Sequence, residues 1–114
     1  MKLSEVRDLL AAQVICCEDQ LGREAVGACA SDMMSDVLAL GKSKSVLITG
    51  LLNPQVVRTA EMMDMICIVF VRNKQPDSTI VRLAKDREIV LMSTDSPMYQ
   101  VSGTLYSAGL GGEV

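Results

Sequence analysis

The polar residues that follow three apolar runs are the groups in this sequence best suited to binding a ligand. The runs are "SVLITG", "ICIVFV" and "IVLMST", and each is followed, after a short stretch that contains polar residues, by a proline. These stretches supply hydroxyl, amide, guanidinium and carboxylate groups, which bind ions and polar molecules. The candidate ligand-binding residues are Thr49, Gly50, Asn53, Arg72, Asn73, Thr94, Asp95 and Ser96.

The chemistry that fits these residues best is the binding of a small anion. A guanidinium pairs with phosphate or carboxylate, and the first N–H groups of a helix also attract negative charge. Asp77 and Asp95 stand at two of the expected helix starts and compete with an anion, whereas the start at Asn53 is uncharged. We therefore expect an anion near Asn53, with Arg72 as its charged partner. In the alternative, these side chains only cap helices and face solvent.

Several common catalytic and metal centres lack a residue type or a spacing that they need in this sequence. It has no His, which excludes a Ser-His-Asp triad and a His-based zinc site. Its cysteines form no C-x-x-C pair, which argues against zinc, iron–sulfur and thioredoxin-like sites. We expect no enzyme activity, no metal and no cofactor, and we assign Asp32, Asp77 and Asp95 to helix capping.

Thiols are the other reactive groups, at Cys16, Cys17, Cys29 and Cys67. Because a free cysteine behaves as a small apolar residue, we expect buried thiols. The adjacent pair Cys16 and Cys17 leaves a redox-sensing site as an alternative.

Charge and hydropathy exclude two classes of partner. The net charge is −3, from 11 basic and 14 acidic residues, with no basic stripe and only 3% aromatic residues. A nucleic-acid surface needs clustered cations and stacking aromatics, so we expect no nucleic acid. No apolar run approaches the ~18 residues of a membrane span, and charges interrupt the apolar pattern of "MKLSEVRDLL". We therefore expect a cytoplasmic location and no membrane partner.

The elements that would position the polar stretches are parallel strands followed by helices. The apolar runs are short, rich in Val and Ile, and lack polar alternation, which is typical of strands buried on both faces. We predict parallel strands over residues 45–50, 66–71 and 89–93. Each proline suits the first turn of a following helix, because that turn's N–H groups have no partner within the helix. Parallel strands would bring the polar stretches to one edge of the sheet, where ligands bind in open α/β folds.

The N-terminal half has a different pattern. Ser4 predicts a helix over residues 5–12, and a second helix capped by Ser31 or Asp32 ends at Gly41. Between them, "QVICC" and "AVGACA" predict a strand pair over residues 13–17 and 24–30. The fold class is thus α/β, a small three-layer domain over residues 1–110, with a flexible tail at 111–114.

The last predicted helix carries two apolar stripes. Val101, Leu105 and Ala108 form one, and Tyr99, Gly103 and Tyr106 form the other. Two stripes indicate two packing partners, of which one is the sheet and the other a second subunit. The second stripe is therefore the candidate interface of a homodimer. The alternative is a helix buried on both sides in one core.

Nearly the whole chain, from about Leu3 to Leu110, resembles the DRTGG domain family. The segment "ITGLLNPQVVRTAEMMDMICIVFVRNKQPDSTIVRLAKDREIVLMSTDSPMY" is similar to that domain, and "GACASDMMSDVLA" resembles its middle segment. Where the family pattern has Thr-Gly-Gly, this sequence has Val71, Arg72 and Asn73. The likeness is strongest to small stand-alone members encoded beside iron-only hydrogenase subunits.

The resemblance implies a fold similar to the N-terminal domain of HPr kinase. It also implies a non-catalytic regulatory or accessory module. From the polar residues at the carboxyl ends of the strands, we expect this module to sense a small anionic ligand such as a nucleotide. A homodimer and an association with hydrogenase subunits follow from the same resemblance. The alternative function is a protein–protein interaction module without a ligand.

Overall fold

A single mixed sheet forms the centre of the molecule. The computed structural model describes residues 1–111, and within them the sheet has the order β1-β5-β4-β3-β2. The strands are β1 (Gln13–Cys16), β2 (Ala28–Ala30), β3 (Val46–Thr49), β4 (Cys67–Phe70) and β5 (Val90–Ser93). Strands β2 to β5 are parallel, and β1 lies antiparallel to β5. The predicted α/β class and its three central parallel strands are confirmed.

Helices cover both faces of this sheet. They are α1 (Leu3–Leu10), α2 (Met34–Leu40), α3 (Pro54–Met62), α4 (Ser78–Asp86) and α5 (Met98–Ser107). Buried residues of α1 and α5 share one apolar cluster with the sheet, and those of α2, α3 and α4 share the other. The molecule therefore has the expected three layers.

The alternation of side chains along each central strand explains why the three runs are apolar up to their carboxyl ends, where β3 finishes on Thr49 and β5 on Ser93. Val46 and Ile48 of β3 belong to the cluster beneath α1 and α5, whereas Leu47 between them belongs to the cluster beneath α2, α3 and α4. Every residue of β3, β4 and β5 is buried. A polar residue in either register would be placed in one of the two cores.

The two N-terminal strands exist, but the predicted pairing between them is wrong. β1 and β2 lie at opposite edges of the sheet. The seven-residue polar segment between the two apolar runs is too long for a tight hairpin, and it contains a 3₁₀ helix over Glu18–Gln20. The chain then runs beside its own N-terminus, where Leu3 N–H donates to the Arg23 carbonyl at 3.0 Å. β2 consequently joins the sheet beside β3, in parallel.

Two of the predicted helix caps are confirmed. Asn53 caps α3 by accepting from Gln55 N–H at 2.8 Å, and Asp77 caps α4 by accepting from Ile80 N–H at 3.0 Å.

The other predicted caps, at Ser4, Ser31 or Asp32, Asp95 and Ser96, are wrong. The residue that caps α1 is Lys2, whose N–H donates to the Glu5 carboxylate, and not Ser4. α2 begins after Met33, because the Asp32 carboxylate turns towards β3. α5 begins after Pro97, and the carbonyl of Ser96 accepts a bond from the β4–α4 loop.

The C-terminal segment is described only as far as Gly111. Its carbonyl accepts from Ala28 N–H at 3.1 Å, on the outer edge of β2. The remainder of the predicted tail, residues 112–114, lies outside the described residues. None of the helices in residues 1–111 has the length and apolar character needed to cross a membrane.

Candidate functional site

The loops that follow the four parallel strands meet at one edge of the sheet, here called the carboxyl rim. Asp32 follows β2, Gly50 follows β3, Arg72 lies in the loop after β4, and Thr94 follows β5. Three of these four residues were among the predicted site residues, and Asp32 is an addition. The topology therefore gives the predicted ligand-binding residues a common location, as expected for parallel strands.

Asp32 ties the end of β2 to the end of β3. Its Oδ1 accepts from Thr49 Oγ1 at 2.9 Å and from Gly50 N–H at 2.7 Å. Thr49 is buried, and its hydroxyl also accepts from Leu51 N–H at 3.2 Å. Thr49, which was predicted as a ligand-binding residue, is therefore buried beneath the rim, and its hydroxyl fixes the Asp32 carboxylate.

The loop after β4 has a strained backbone held in place by β5. Arg72 and Asn73 both have φ of 56°, in the left-handed region, which costs a non-glycine residue about 1–2 kcal/mol. Arg72 N–H donates to the Ser96 carbonyl at 2.9 Å, and Asn73 N–H donates to the Thr94 carbonyl at 2.7 Å. These are the positions where the DRTGG pattern has a glycine pair, which adopts this conformation freely.

Side-chain hydrogen bonds also hold the loop after β4 in place. Ser93 Oγ donates to the Lys74 carbonyl at 2.8 Å and accepts from Gln75 Nε2 at 3.0 Å. Thr94 is buried, and its hydroxyl donates to the Leu10 carbonyl at 2.8 Å. Because its hydroxyl is engaged in the core, Thr94 contributes to the rim through its backbone.

Arg72 and Asp32 face the same small space above Gly50. A Cβ built on Gly50 would lie 3.4 Å from Arg72 Nη2 and 3.7 Å from Asp32 Oδ1. The two side chains form no ion pair with each other, and the Arg72 guanidinium has no hydrogen-bond or ion-pair partner within residues 1–111. We call this space, bounded by Gly50, Arg72 and Asp32, the Gly50 cleft.

The remaining predicted rim residues lie at its margin. The Asn53 side chain is engaged in capping α3, and Pro54 has no N–H to offer. The Asp95 side chain is exposed and has no hydrogen-bond partner in the described part of the chain. The start of α3 therefore offers an anion fewer donors than its lack of charge suggested.

Sequence reasoning missed Asp32 because the residue was assigned to the start of α2. The signal that would have found it is its place directly after the apolar stretch of β2. Recognising β2 as a parallel strand beside β3 would have placed the carboxylate at the carboxyl rim.

The thiols are all free, and three of the four are buried. Burial, followed by the neighbouring Cys16, raises the pKa of Cys17 to about 12, and burial raises the pKa of Cys67 further. Because the thiolate is the reactive form, a raised pKa slows attack on an oxidant. No group of three His, Cys, Asp or Glu residues within 1–111 could hold a metal ion.

The outer face of α5 is aromatic and uncharged. Tyr99 is 90% exposed and Tyr106 is 73% exposed, and Gly103 between them is exposed as well. The alternative that this stripe is buried in one core is therefore wrong for the single chain. No charged residue occurs from Ser96 to Gly111.

Comparison with known proteins finds a relative only among solved structures. No model of a known family matches the sequence, and no curated protein matches it. A crystal structure of the CBS and DRTGG domains of the regulatory region of Clostridium perfringens pyrophosphatase is similar, with a TM-score of 0.75 and 15% identity. The chain shares its fold with part of that CBS- and DRTGG-containing region. The similarity covers 91% of this chain and 45% of that one.

That similar structure is a regulatory region, and it was solved with the activator diadenosine tetraphosphate. At 15% identity the likeness concerns the fold alone.

Proposed function

We propose that this protein is a non-catalytic regulatory or accessory module that binds a nucleotide or a similar small anion at the carboxyl rim. The observation that carries the proposal is the position of Arg72. A strained loop, anchored to β5 by backbone and side-chain bonds, holds an unpaired guanidinium beside Gly50. Strain of this kind persists where the surrounding structure enforces it, and it is frequent at ligand sites.

The contribution of each rim residue follows from its contacts. Arg72 supplies the positive charge, and the buried Gly50, which has no side chain, lets the charged groups of Arg72 and Asp32 come close to one point. Asn73 and Ser96 hold the loop through its backbone, and Thr49 holds the opposite wall. Asn53, Thr94 and Asp95 complete the proposed rim at its margin.

The nucleotide-bound state of the similar regulatory region supports nucleotides as the first ligands to test. Thermal unfolding would be measured with ATP, ADP, diadenosine tetraphosphate and inorganic phosphate. A ligand at one hundred times its dissociation constant stabilises the fold by about 2.7 kcal/mol, which raises the melting temperature by several degrees in a domain of this size.

The matched variants are Arg72→Gly and Asn73→Gly. Both relieve a left-handed backbone, but only the first removes the guanidinium. We expect Arg72→Gly to abolish the ligand-induced shift and Asn73→Gly to keep it. The proposal fails if no nucleotide or phosphate shifts the wild type, or if Arg72→Gly responds as the wild type does.

A second candidate function, an interaction and dimerisation module, is favoured by the outer face of α5. Exposed aromatic side chains without neighbouring charge are typical of the centre of a protein interface. We propose a homodimer through Tyr99, Gly103 and Tyr106. The two functions are compatible, since the carboxyl rim and the outer face of α5 meet only at Ser96.

Hydrogenase subunits in the cytoplasm are the proposed protein partners, on the strength of the family resemblance. Affinity purification of the tagged protein from its host under anaerobic conditions, followed by mass spectrometry, tests this assignment. Absence of hydrogenase subunits from the purified complex would leave the regulatory function without that partner.

A further inference from the structure

We propose that Asp32 and Arg72 together select a ribonucleotide, with Asp32 accepting hydrogen bonds from the sugar hydroxyls and Arg72 pairing with a phosphate. This inference rests on the proposed function, because it assumes that the Gly50 cleft binds an anion. Beyond the proposed function, it assigns ligand recognition to Asp32 and requires the ligand to carry sugar hydroxyls close to a phosphate.

A ligand of the Gly50 cleft must match two groups, the Arg72 guanidinium and the Asp32 carboxylate. Arg72 Nη2 and Asp32 Oδ1 both lie within 4 Å of the point where a Gly50 side chain would begin, and they do not pair with each other. A bare anion would gain the guanidinium but would also meet the carboxylate. A suitable ligand must therefore present hydrogen-bond donors close to its negative charge.

The acceptor capacity of Asp32 is only partly used inside the protein. A carboxylate offers about four acceptor positions, and the described residues fill two of them, both on Oδ1. The side chain is exposed, and Oδ2 has no donor within residues 1–111. The bonds from Thr49 and Gly50 fix the carboxylate, so its free oxygen is presented in one orientation.

A ribonucleotide meets both demands with neighbouring groups. Its vicinal hydroxyls are two donors suited to a carboxylate, as in dinucleotide-binding folds where an acidic residue accepts from the ribose. Its phosphate is held close to the same sugar and pairs with a guanidinium, often through two bonds. Gly50 has no side chain, so no Cβ stands between the two charged groups.

The test compares the affinity of ATP with that of 2′,3′-dideoxy-ATP by isothermal titration calorimetry. We expect the wild type to bind ATP about tenfold more tightly or better, because a hydrogen bond to a charged group contributes that much. Asp32→Asn should bring the two affinities within about threefold of each other. Dideoxy-ATP should bind the variant at least as tightly as it binds the wild type, since a repelling charge has been removed.

Two further variants separate recognition from folding and from net charge. Gly50→Ala fills the Gly50 cleft and should weaken both ligands together. Asp86→Asn changes the net charge equally on α4 and should leave the ratio of the two affinities unchanged. Circular dichroism checks the fold of each variant, and if Asp32→Asn fails to fold, the wild-type ratio still decides the inference.

The outcomes distinguish this inference from the function on which it rests. Equal binding of ATP and dideoxy-ATP by the wild type, with loss of both in Arg72→Gly, overturns the role of Asp32 and leaves the anion site intact. Absence of any nucleotide binding overturns both. A zwitterionic amino acid such as glutamine also carries groups that match Asp32 and Arg72, namely its ammonium and its carboxylate. If glutamine binds more tightly than ATP, the ribonucleotide assignment is overturned.

Discussion

Because the Cys67 thiol is buried, the free energy of unfolding should depend on pH in the alkaline range. The side chain is fully buried in β4, and burial raises the pKa of its thiol above the ordinary value of about 9. The folded state therefore keeps a neutral thiol at a pH where the unfolded chain forms a thiolate. This contribution to stability is complete below pH 9 and is lost as the pH rises beyond it.

The prediction for Cys67 is a steeper alkaline loss of stability in the wild type than in Cys67→Ala. Urea unfolding at pH 7, 8.5 and 10 would measure the free energy of unfolding of both proteins. The variant should be less stable at pH 7, because it leaves a small cavity, but its stability should fall less between pH 8.5 and 10. Parallel losses in the two proteins would show that the fold does not protect this thiol.

The left-handed backbone of Arg72 leads to a second prediction at the residue scale. In the left-handed region, glycine is unstrained, whereas a β-branched residue is a strong outlier. Arg72→Val should therefore unfold at lower urea concentration than Arg72→Gly, with a difference of about 1–2 kcal/mol in the free energy of unfolding. Both variants lack the guanidinium, so the comparison isolates the backbone. Equal stability would mean that the loop relaxes away from φ of 56°.

At the scale of the element, helix starts show how tertiary bonds override local signals. Asp77 and Asp95 both precede a helix by a few residues, but only Asp77 accepts a bond from the helix backbone. We predict that Asp77→Ala destabilises the fold by about 1 kcal/mol, the usual cost of losing a cap. Asp95→Ala should change stability by less than about 0.5 kcal/mol. Chemical denaturation measures both, and equal effects would contradict the assigned caps.

The central strands could be predicted from the sequence because their signal is local. Each needs apolar residues on both faces, and the runs around Leu47, Ile68 and Leu91 satisfy that need without reference to the rest of the chain. The caps at Asn53 and Asp77 are equally local. Together these features locate most of the carboxyl rim from the sequence alone.

The errors concern features decided by distant residues. The place of β2 depends on the open edge of β3 and not on the residues of β2. Asp32 and Ser96 look like caps in the sequence, but Asp32 bonds to Thr49 and Gly50, and the Ser96 carbonyl bonds to Arg72. Gly50 and Arg72 were predicted as site residues, but the Asp32 wall of the Gly50 cleft escaped prediction, because its place depends on contacts with the end of a separate strand, β3.

At the scale of the whole molecule, the outer face of α5 differs from the other helix surfaces in its lack of charge. The side covered by α2, α3 and α4 carries charged residues such as Arg58, Glu61 and Lys85 among its exposed positions. The outer face of α5, on the other side, carries none. Two copies with a net charge of −3 each approach most easily through such a neutral face, which favours α5 as the dimer contact.

The decisive whole-molecule prediction is the response of the dimer to Tyr106→Asp. A carboxylate at this position would have to be buried without a partner in a contact between two α5 helices, and burying an unpaired charge is strongly unfavourable. The variant should therefore scatter light as a 12.3 kDa monomer at micromolar concentration, where the wild type should scatter as a dimer. Because Tyr106 is 73% exposed in the single chain, circular dichroism should remain unchanged. Met62→Asp is the matched control, since Met62 is 70% exposed on the opposite side of the sheet and its replacement should leave the dimer intact. A monomeric wild type, or a dimer broken by Met62→Asp and not by Tyr106→Asp, would remove α5 as the contact.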